Sequence, residues 1–259
     1  MPETQLLSNP HRLSGFGLKR LAVASMVVDH IGSIIMNGLL SPYWQGGYLQ
    51  LSADMPFLVR HGFQIKAVCE VLGSIGFPLF CFLLSEGFLH TRNRLRYALI
   101  LGAFALLSEI PFDLAHYQAF WNPTLQNVLF TLCTAAFTLW GISAVETRWK
   151  GPPLGLVGLR VAVTAAGMAV ALLLRGEYVF LGILAVVLFY LLRDYRWFRL
   201  LGLAPLLVVS PWVLLALAPL VLYGGTRGQG LKWFFYFFYP SHFLLFAVVA
   251  WFLSQLPAA

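Results

Sequence analysis

Long apolar segments, separated by short polar stretches rich in arginine and lysine, dominate this sequence from residue 21 onward. A helix needs roughly 20 apolar residues to cross the bilayer core, and fewer where neighbouring helices bury it. With 59% hydrophobic and only 10% charged residues, the whole chain, 1–259, is predicted to be a single all-α membrane domain of about nine (eight to ten) transmembrane helices. The predicted segments are about 21–40, 67–89, 97–114, 127–145, 161–174, 178–192, 200–209, 211–223 and 233–255.

The distribution of basic residues predicts the orientation of this bundle. The 17 lysines and arginines exceed the 10 aspartates and glutamates, and they lie between apolar segments instead of clustering on a soluble domain. This spacing favours membrane topology over nucleic-acid binding. Nine crossings from a cytoplasmic N-terminus leave only Arg60, Lys66 and Arg175 outside. A polar cytoplasmic segment is therefore expected at 1–18 and an outer loop at 41–66.

Two adjacent ionisable residues, Asp29 and His30, lie inside the first apolar segment, in the stretch MVVDHIG. A charged group at mid-membrane costs about 2.5–3.5 kcal/mol on insertion scales, so it normally faces a partner or a polar cavity. Helical spacing places Asp29 on one face with small residues, which predicts close approach of another helix. These small residues are Ala22, Ser25 and Gly32. Each residue can have either a structural or a functional role. In the structural role, Asp29 is a buried hydrogen-bond acceptor and His30 is a buried histidine whose hydrogen bonds are made within the protein.

Further polar residues interrupt the later segments. Glu86 and His90 are four positions apart, as are Glu109 and Asp113, which flank Pro111. Structural explanations exist for these residues and for the arginines that follow His90. Arginines in inner loops usually set membrane topology, and Glu109 or Asp113 can satisfy backbone groups that Pro111 frees. Polar candidates elsewhere in the chain are Asn37, Asn127, Glu177, Lys232, Tyr239 and His242.

The spacing of Lys19 and His30 suggests the shape of a ligand. Eleven positions of helix correspond to about 16 Å, which places Lys19 at the membrane surface and His30 near the bilayer middle. A molecule with a charged head and a long thin arm, such as coenzyme A, can contact both. Cys69, Cys81 and Cys133 are isolated, so no metal site is expected.

Several blocks of sequence, in order from about residue 18 to 246, resemble the TraX family of bacterial inner-membrane proteins. The blocks are LKRLAVASMVVDHIG, GFPLFCFLLSEGFLHTRNRLRYALILGAFALLSEIPFDL, NVLFTL, GEYVFLGILAVVLFYLLR and KWFFYFFYPSHFLL. The named activity of that family is acetylation of the pilin N-terminus in conjugative pili. More distantly, the chain is similar to transmembrane acyltransferases that O-acetylate surface polysaccharides. In those proteins the first helix carries a basic residue and a histidine separated by ten residues, as Lys19 and His30 are here. Their Phe-rich Ser-Gly-Phe motif also has a counterpart, FPLFCFLLSEGF, in which Glu86 is inserted.

This resemblance implies a multi-pass bacterial inner-membrane acetyltransferase that uses acetyl-CoA and acts on pilin or another envelope acceptor, such as a sugar or small amine. Acetyl transfer needs a base or a nucleophile, and an imidazole can serve as either near neutral pH. His30 is the leading candidate. The other catalytic candidates are Asp29, Glu86, Glu109 and His242. The candidates for binding the co-substrate are Lys19, Arg92, Arg94, Arg96, Arg227, Lys232 and Tyr239, and those for binding the acceptor are Asn37, Asp113, Asn127 and Glu177.

The partner that orients His30 is left open by the sequence. Adjacent residues on a helix point about 100° apart, so Asp29 is poorly placed for this role. Glu86, Glu109 or a group on another helix would suit it better, and Asp29 would then hold His242 or Lys232. Asn127, Tyr239 or His242 would donate hydrogen bonds to the thioester oxyanion.

Two functions of other classes compete with acetyl transfer. A proton-coupled transporter would also place Asp, Glu and His along a polar pathway, and the break at Ser210-Pro211, which predicts one kinked helix or a re-entrant pair, is typical of transporters. A non-enzymatic pilus-assembly protein would need no catalytic residues at all.

Overall fold

A computed structural model describes residues 13–45, 48–49, 52, 54–228 and 230–255. Apolar helices make up most of this part of the chain. Their bounds are α1 Gly15–Tyr43, α2 Gly62–Leu89, α3 Arg94–Tyr117, α4 Val128–Arg148, α5 Pro153–Leu174, α6 Val179–Leu191, α7 Phe198–Val208, α8 Pro211–Val221 and α9 Lys232–Ser254. A further helical turn, Phe57–Arg60, precedes α2, and two-residue strands β1 (Trp44–Gln45) and β2 (Tyr48–Leu49) pair antiparallel after α1.

Six of these helices, α1 to α5 and α9, are long and apolar enough to cross a membrane. The three others are apolar but shorter. The prediction of an all-α, multi-pass membrane protein is therefore confirmed, whereas the count of nine crossings stays a prediction. Side chains exposed on the outside of the bundle are often large and apolar, such as Leu154 and Leu173 at 81% and 82% exposure.

Several helices are longer than their apolar cores predict. The first helix begins at Gly15 rather than 21, because Ser14 caps it by accepting a hydrogen bond from the Gly17 N–H at 3.1 Å. The second helix begins at Gly62 rather than 67, so the outer loop is shorter than 41–66. Hydropathy locates the apolar centre of a helix but not the polar turns that continue it. Residues 1–12 of the predicted cytoplasmic segment 1–18 lie outside the described residues.

Several helices depart from regular α geometry: α2 is interrupted by a turn at 74–75, and the first part of α8, Pro211–Ala216, is a 3₁₀-helix. In α1 the turn Ile31–Ile35, directly after His30, is a π-helix, a form that often occurs at functional sites. Helix α7 is a 3₁₀-helix throughout. Ser210 separates it from α8 and caps α8 by accepting from the Trp212 N–H at 3.3 Å. The segments flanking Ser210-Pro211 are thus two separate helices that pack against each other, not one kinked helix.

The second half of α2 is the centre of the bundle. It packs against α1, α4, α6, α7 and α8, and α9 packs against α3 and the later part of α1. Ser25 on α1 donates from Oγ to the carbonyls of Leu72 and Gly73 on α2, at 2.6 and 3.0 Å. The small-residue face of α1 therefore does admit a neighbouring helix, as its spacing predicts. Below, the end of the bundle where α1, α3 and α9 begin is called the Lys19 end, and the opposite end, where α4 begins, the Asn127 end.

Candidate functional site

Two buried histidines from opposite ends of the sequence meet between α1 and α9. His30 Nδ1 lies 2.8 Å from His242 Nε2, and the two rings stack with their centroids 5.0 Å apart. His242 Nδ1 in turn lies 3.1 Å from the carbonyl oxygen of Phe238, one helical turn earlier. The partner of His30 is therefore a group on another helix, one of the alternatives that the sequence leaves open.

The Phe238 carbonyl fixes the protonation pattern of this pair. A carbonyl oxygen can only accept, so neutral His242 carries its proton on Nδ1 and presents an unprotonated Nε2. His30 must then donate from Nδ1 to that nitrogen, which leaves the lone pair of His30 on Nε2. No hydrogen bond to His30 Nε2 forms within the part of the chain that the structure describes. The arrangement is suited to a base or a nucleophile.

A third histidine, His116 near the end of α3, belongs to the same cluster, although it is not among the candidates that the sequence predicts. Its ring lies 6.0 Å from that of His30, edge to face, and its Nδ1 lies 3.2 Å from the Phe112 carbonyl. All three histidine rings surround Phe243 at centroid distances of 4.2 to 5.6 Å. The signal was available, since His116 follows Glu109 by seven positions and so shares its helix face.

The histidine cluster also bears on metal binding. Among the described residues, no group of three or more His, Cys, Asp and Glu side chains is disposed to hold a metal ion. Tyr239 packs beside them, with its ring 5.5 Å from that of His242 and 5.1 Å from that of Phe243. Tyr239 thus lies with the histidines, about two helical turns along α9 from Lys232, one of the basic residues with which it is predicted to bind the co-substrate.

A buried amide joins α3 to the start of α4 at the Asn127 end. Asn127 Nδ2 donates to Glu109 Oε2 at 2.5 Å and to the Ala105 carbonyl at 2.9 Å. Its Oδ1 accepts from the Leu129 N–H at 3.1 Å and so caps α4. One side chain therefore fixes the helix start, the α3 backbone and a buried carboxylate.

Two buried acids at this end keep one oxygen each without a protein partner. Asp113 Oδ2 accepts from the Asn122 N–H at 2.8 Å, but Asp113 Oδ1 and Glu109 Oε1 have no hydrogen bond. The hypothesis that Glu109 or Asp113 satisfies backbone groups freed by Pro111 is wrong, because the hydrogen-bond partners of both acids, Asn127 and Asn122, lie after α3. Unpaired buried carboxylate oxygens are costly, and they are expected where a protein binds water, a proton or a polar substrate.

Glu177 completes this acidic region from the turn between α5 and α6. That turn is tied to the start of α4, since the Glu177 N–H donates to the Gln126 carbonyl at 3.1 Å. Burial, with a smaller contribution from the Asp29 carboxylate, raises the pKa of Glu177 from 4.5 to about 7. Glu109, Asp113 and Glu177 also lie close enough to Tyr117 to interact with it electrostatically. The three acids Glu109, Asp113 and Glu177 together form the acidic region.

Three predicted site residues lie apart from the histidines. Asp29 packs against Gly73 of α2, and it contacts neither His242 nor Lys232, the two partners expected for it. Glu86 accepts from the Tyr223 hydroxyl at 3.0 Å and pairs with Arg199 at 3.7 Å, so it does not orient His30. Asn37 is exposed and accepts from Lys66 Nζ at 3.1 Å.

Basic residues gather at the Lys19 end. Lys19, Arg227 and Lys232 interact electrostatically, and no ion pair neutralises them within the described residues. Lys19 Nζ lies 5.9 Å from the Phe235 ring. The Arg94 guanidinium already has partners within the protein, since it donates to Ser143 and lies 5.0 Å from the Phe88 ring. Arg92 and Arg96, in contrast, are exposed.

Together these features define a class of protein: a multi-pass helical membrane protein with a buried histidine cluster, acids at one end and cations at the other. The chain belongs to the TraX family, whose model, described as TraX protein, matches residues 14–250. The match includes every candidate residue discussed above. No curated protein and no solved structure matches this chain.

Proposed function

We propose that this protein is an integral inner-membrane acetyltransferase that moves acetyl from acetyl-CoA to a pilin-like protein N-terminus, a sugar or a small molecule. Membership of the TraX family supports this proposal. The observation that carries it is the chain of hydrogen bonds from the Phe238 carbonyl through His242 to His30, which leaves a lone pair on His30 Nε2.

The chemistry requires one proton acceptor and one leaving group. As the acceptor amine or hydroxyl attacks the thioester carbonyl, His30 Nε2 takes its proton, and the carbon–sulfur bond then breaks as the thiolate leaves. The imidazolium formed returns the proton to the thiolate. His242 Nε2, which accepts from His30 Nδ1, stabilises the positive charge that develops. In a two-step route His30 Nε2 itself attacks the thioester carbonyl and the carbon–sulfur bond breaks as the thiolate leaves, which gives acetyl-His30. The acceptor then attacks this acetyl group, the acetyl–nitrogen bond breaks, and the acceptor's proton is released to the leaving imidazole or to the thiolate.

The two ends of the bundle suit the two substrates. Lys19, Arg227 and Lys232 offer uncompensated positive charge for the phosphates of the donor. Lys19 precedes His30 by about 16 Å of helix, a span that a thin arm can bridge. At the Asn127 end, the acidic region and Asn127 would receive the acceptor, and Tyr239, whose ring packs beside His242, would donate to an oxyanion.

The test is an incubation of detergent-purified protein with radiolabelled acetyl-CoA, following both thiol release and label on the protein. We expect His30→Ala to reduce thiol release by about 10²–10⁴-fold. His90→Ala, which alters an exposed histidine at the end of α2, is the matched control and should behave as wild type. Equal activity of His30→Ala and wild type would contradict the role of His30.

The donor itself is tested by thermal unfolding in the presence of acetyl-CoA, since a ligand that binds only the folded state raises the melting temperature. Absence of both thiol release and a melting shift in wild-type protein would contradict the acetyltransferase proposal. Counterflow uptake by the same protein in liposomes without acetyl-CoA would then identify a transporter.

A further inference from the structure

A second polar site lies at the Lys19 end of the bundle. It is a pocket of about 240 Å³ between the end of α2, the α6–α7 connection and the segment after α8, lined by Glu86, Arg196, Trp197, Arg199 and Tyr223. Glu86 follows Gly73, the residue against which Asp29 packs, by thirteen positions, or about 20 Å of helix. The pocket is thus separate from the middle of α1, where the histidine cluster lies.

Glu86 holds one guanidinium of this pocket in place. Its Oε1 pairs with Arg199 at 3.7 Å, and its Oε2 accepts from the Tyr223 hydroxyl at 3.0 Å. The Arg199 guanidinium also lies 4.5 Å from the Phe82 ring and 5.7 Å from the Tyr223 ring. An arginine fixed on several sides loses little side-chain entropy when it binds a ligand, so Arg199 is preorganised.

Arg196 adds a second positive charge. Its guanidinium lies 5.3 Å from the Trp197 ring, and no acidic residue among those described forms an ion pair with it. Two guanidinium groups therefore face one carboxylate, and the pocket carries net positive charge. Guanidinium groups match the geometry of phosphate oxygens, and exposed aromatic rings stack on planar bases.

The segment after α8 joins this pocket to the cations at the start of α1. Tyr223 lines the pocket, and four residues later Arg227 interacts with Lys19. This segment is fixed to α1, because the Gly15 N–H donates to the Thr226 carbonyl at 2.7 Å and the Phe16 N–H donates to the Arg227 carbonyl at 3.1 Å. A ligand with several phosphates can therefore meet cations both in the pocket and beyond it.

We propose that this pocket binds the phosphorylated nucleoside end of the donor, with phosphate ester oxygens on Arg196 and Arg199 and the base against Trp197 or Tyr223. The inference rests on the proposed function for the identity of the donor. It also gives Glu86 a role, as the residue that positions Arg199 and Tyr223. A phosphate ester can come from a soluble nucleotide or from an anionic lipid headgroup, and the experiment must distinguish the two sources.

The probe is adenosine 3′,5′-bisphosphate, which carries no acetyl group or thioester, so its binding is independent of catalysis. Binding to the detergent-purified full chain is measured by calorimetry for wild type, Arg196→Gln and Lys150→Gln. Both substituted residues are exposed basic residues at the Lys19 end. We expect Arg196→Gln to weaken binding at least tenfold and Lys150→Gln to remain within twofold of wild type. Equal affinity of both variants would overturn the proposal.

Two further arms complete the test. His30→Ala should bind the bisphosphate as tightly as wild type, and this result together with loss of acetyl transfer would support the two sites independently. Nanodiscs that contain phosphatidylglycerol test the other source: an Arg196-dependent preference for the anionic lipid, without bisphosphate binding, would overturn the nucleotide assignment.

If acetyl transfer occurs but Arg196→Gln leaves the KM for acetyl-CoA unchanged, the pocket inference fails while the proposed function stands. If Arg196-dependent bisphosphate binding is found without any transfer, the proposed function fails and the nucleotide site stands.

Discussion

His30 and His242 are 212 positions apart in the sequence, yet His30 Nδ1 lies 2.8 Å from His242 Nε2. The contact joins the first and last membrane-spanning helices at their buried faces. Because His242 is itself bonded to a backbone carbonyl, its ring cannot turn without losing that bond. The position of the free nitrogen of His30 thus depends on a residue that belongs to another helix.

His242→Ala tests this dependence. The substitution removes the acceptor of the His30 Nδ1 proton, so His30 can adopt either tautomer and its Nε2 lone pair is no longer fixed. We expect a decrease in acetyl transfer of about 10²–10³-fold, comparable with the loss of one positioned hydrogen-bonding group. The same thiol-release assay measures it, with binding of acetyl-CoA as the control for folding. Full activity of His242→Ala would show that the pair has no catalytic role.

Asn127→Ala should lower the free energy of unfolding by more than a substitution that removes only a helix cap. The cap of α4 contributes about 0.5–2 kcal/mol. Leaving Glu109 and the Ala105 carbonyl without their amide partner adds about 1–3 kcal/mol. Asn93→Ala is the matched control, because Asn93 is exposed and caps α3 through the Arg96 N–H alone. Thermal unfolding that shows equal destabilisation in both variants would mean that the Glu109 contact contributes nothing.

Gly73→Ala should disrupt the contact between α1 and α2. A methyl group at position 73 would overlap both the carboxylate and the β-carbon of Asp29. Rotation of the Asp29 side chain cannot relieve the overlap with its β-carbon, so the two helices must shift. Overpacking of this kind costs about 1–3 kcal/mol. Gly158→Ala in α5 is the control, because a methyl group there meets no atom within 4 Å. If both variants unfold at the same temperature as wild type, Asp29 does not pack against Gly73.

Glu177 should make stability depend on pH. Its pKa is about 7 in the folded protein and near 4.5 when the group is not perturbed, so between these values the folded protein holds a proton that the unfolded chain has lost. The unfolding free energy must therefore fall as pH rises through this window. Glu177→Gln removes this contribution, so its melting temperature relative to wild type should be higher at pH 8 than at pH 5. For a protein of this size we expect roughly 2–4 °C for each kcal/mol recovered.

The control for this pH dependence is Asp194→Asn, which changes an acid whose side chain is 77% exposed. Its melting temperature should differ from wild type by the same amount at both pH values. If the difference for Glu177→Gln is also constant with pH, the pKa of Glu177 is not raised.

Helical periodicity predicted some packing correctly but not the partners of the polar residues. The small face around Asp29 does receive a neighbouring helix, since such a face has few other uses in a membrane. Glu86, in contrast, is one of the alternatives that the sequence offers for orienting His30, and it instead holds Arg199 and Tyr223. His116 shares a helix face with Glu109, but that spacing alone does not indicate that His116 meets His30, because the contact depends on how α3 packs against α1.

The sequence by itself determined that this chain forms apolar helices, that they span a membrane, and that ionisable residues lie within them. These are properties of segments, because the free energy of transfer to hydrocarbon sums over consecutive residues. Only the tertiary structure decided that His30 meets His242, that Asn127 holds Glu109, and that Glu86 lies in a pocket at the Lys19 end. Such pairs depend on the rotation, tilt and depth of each helix, and those are fixed by packing between helices distant in sequence.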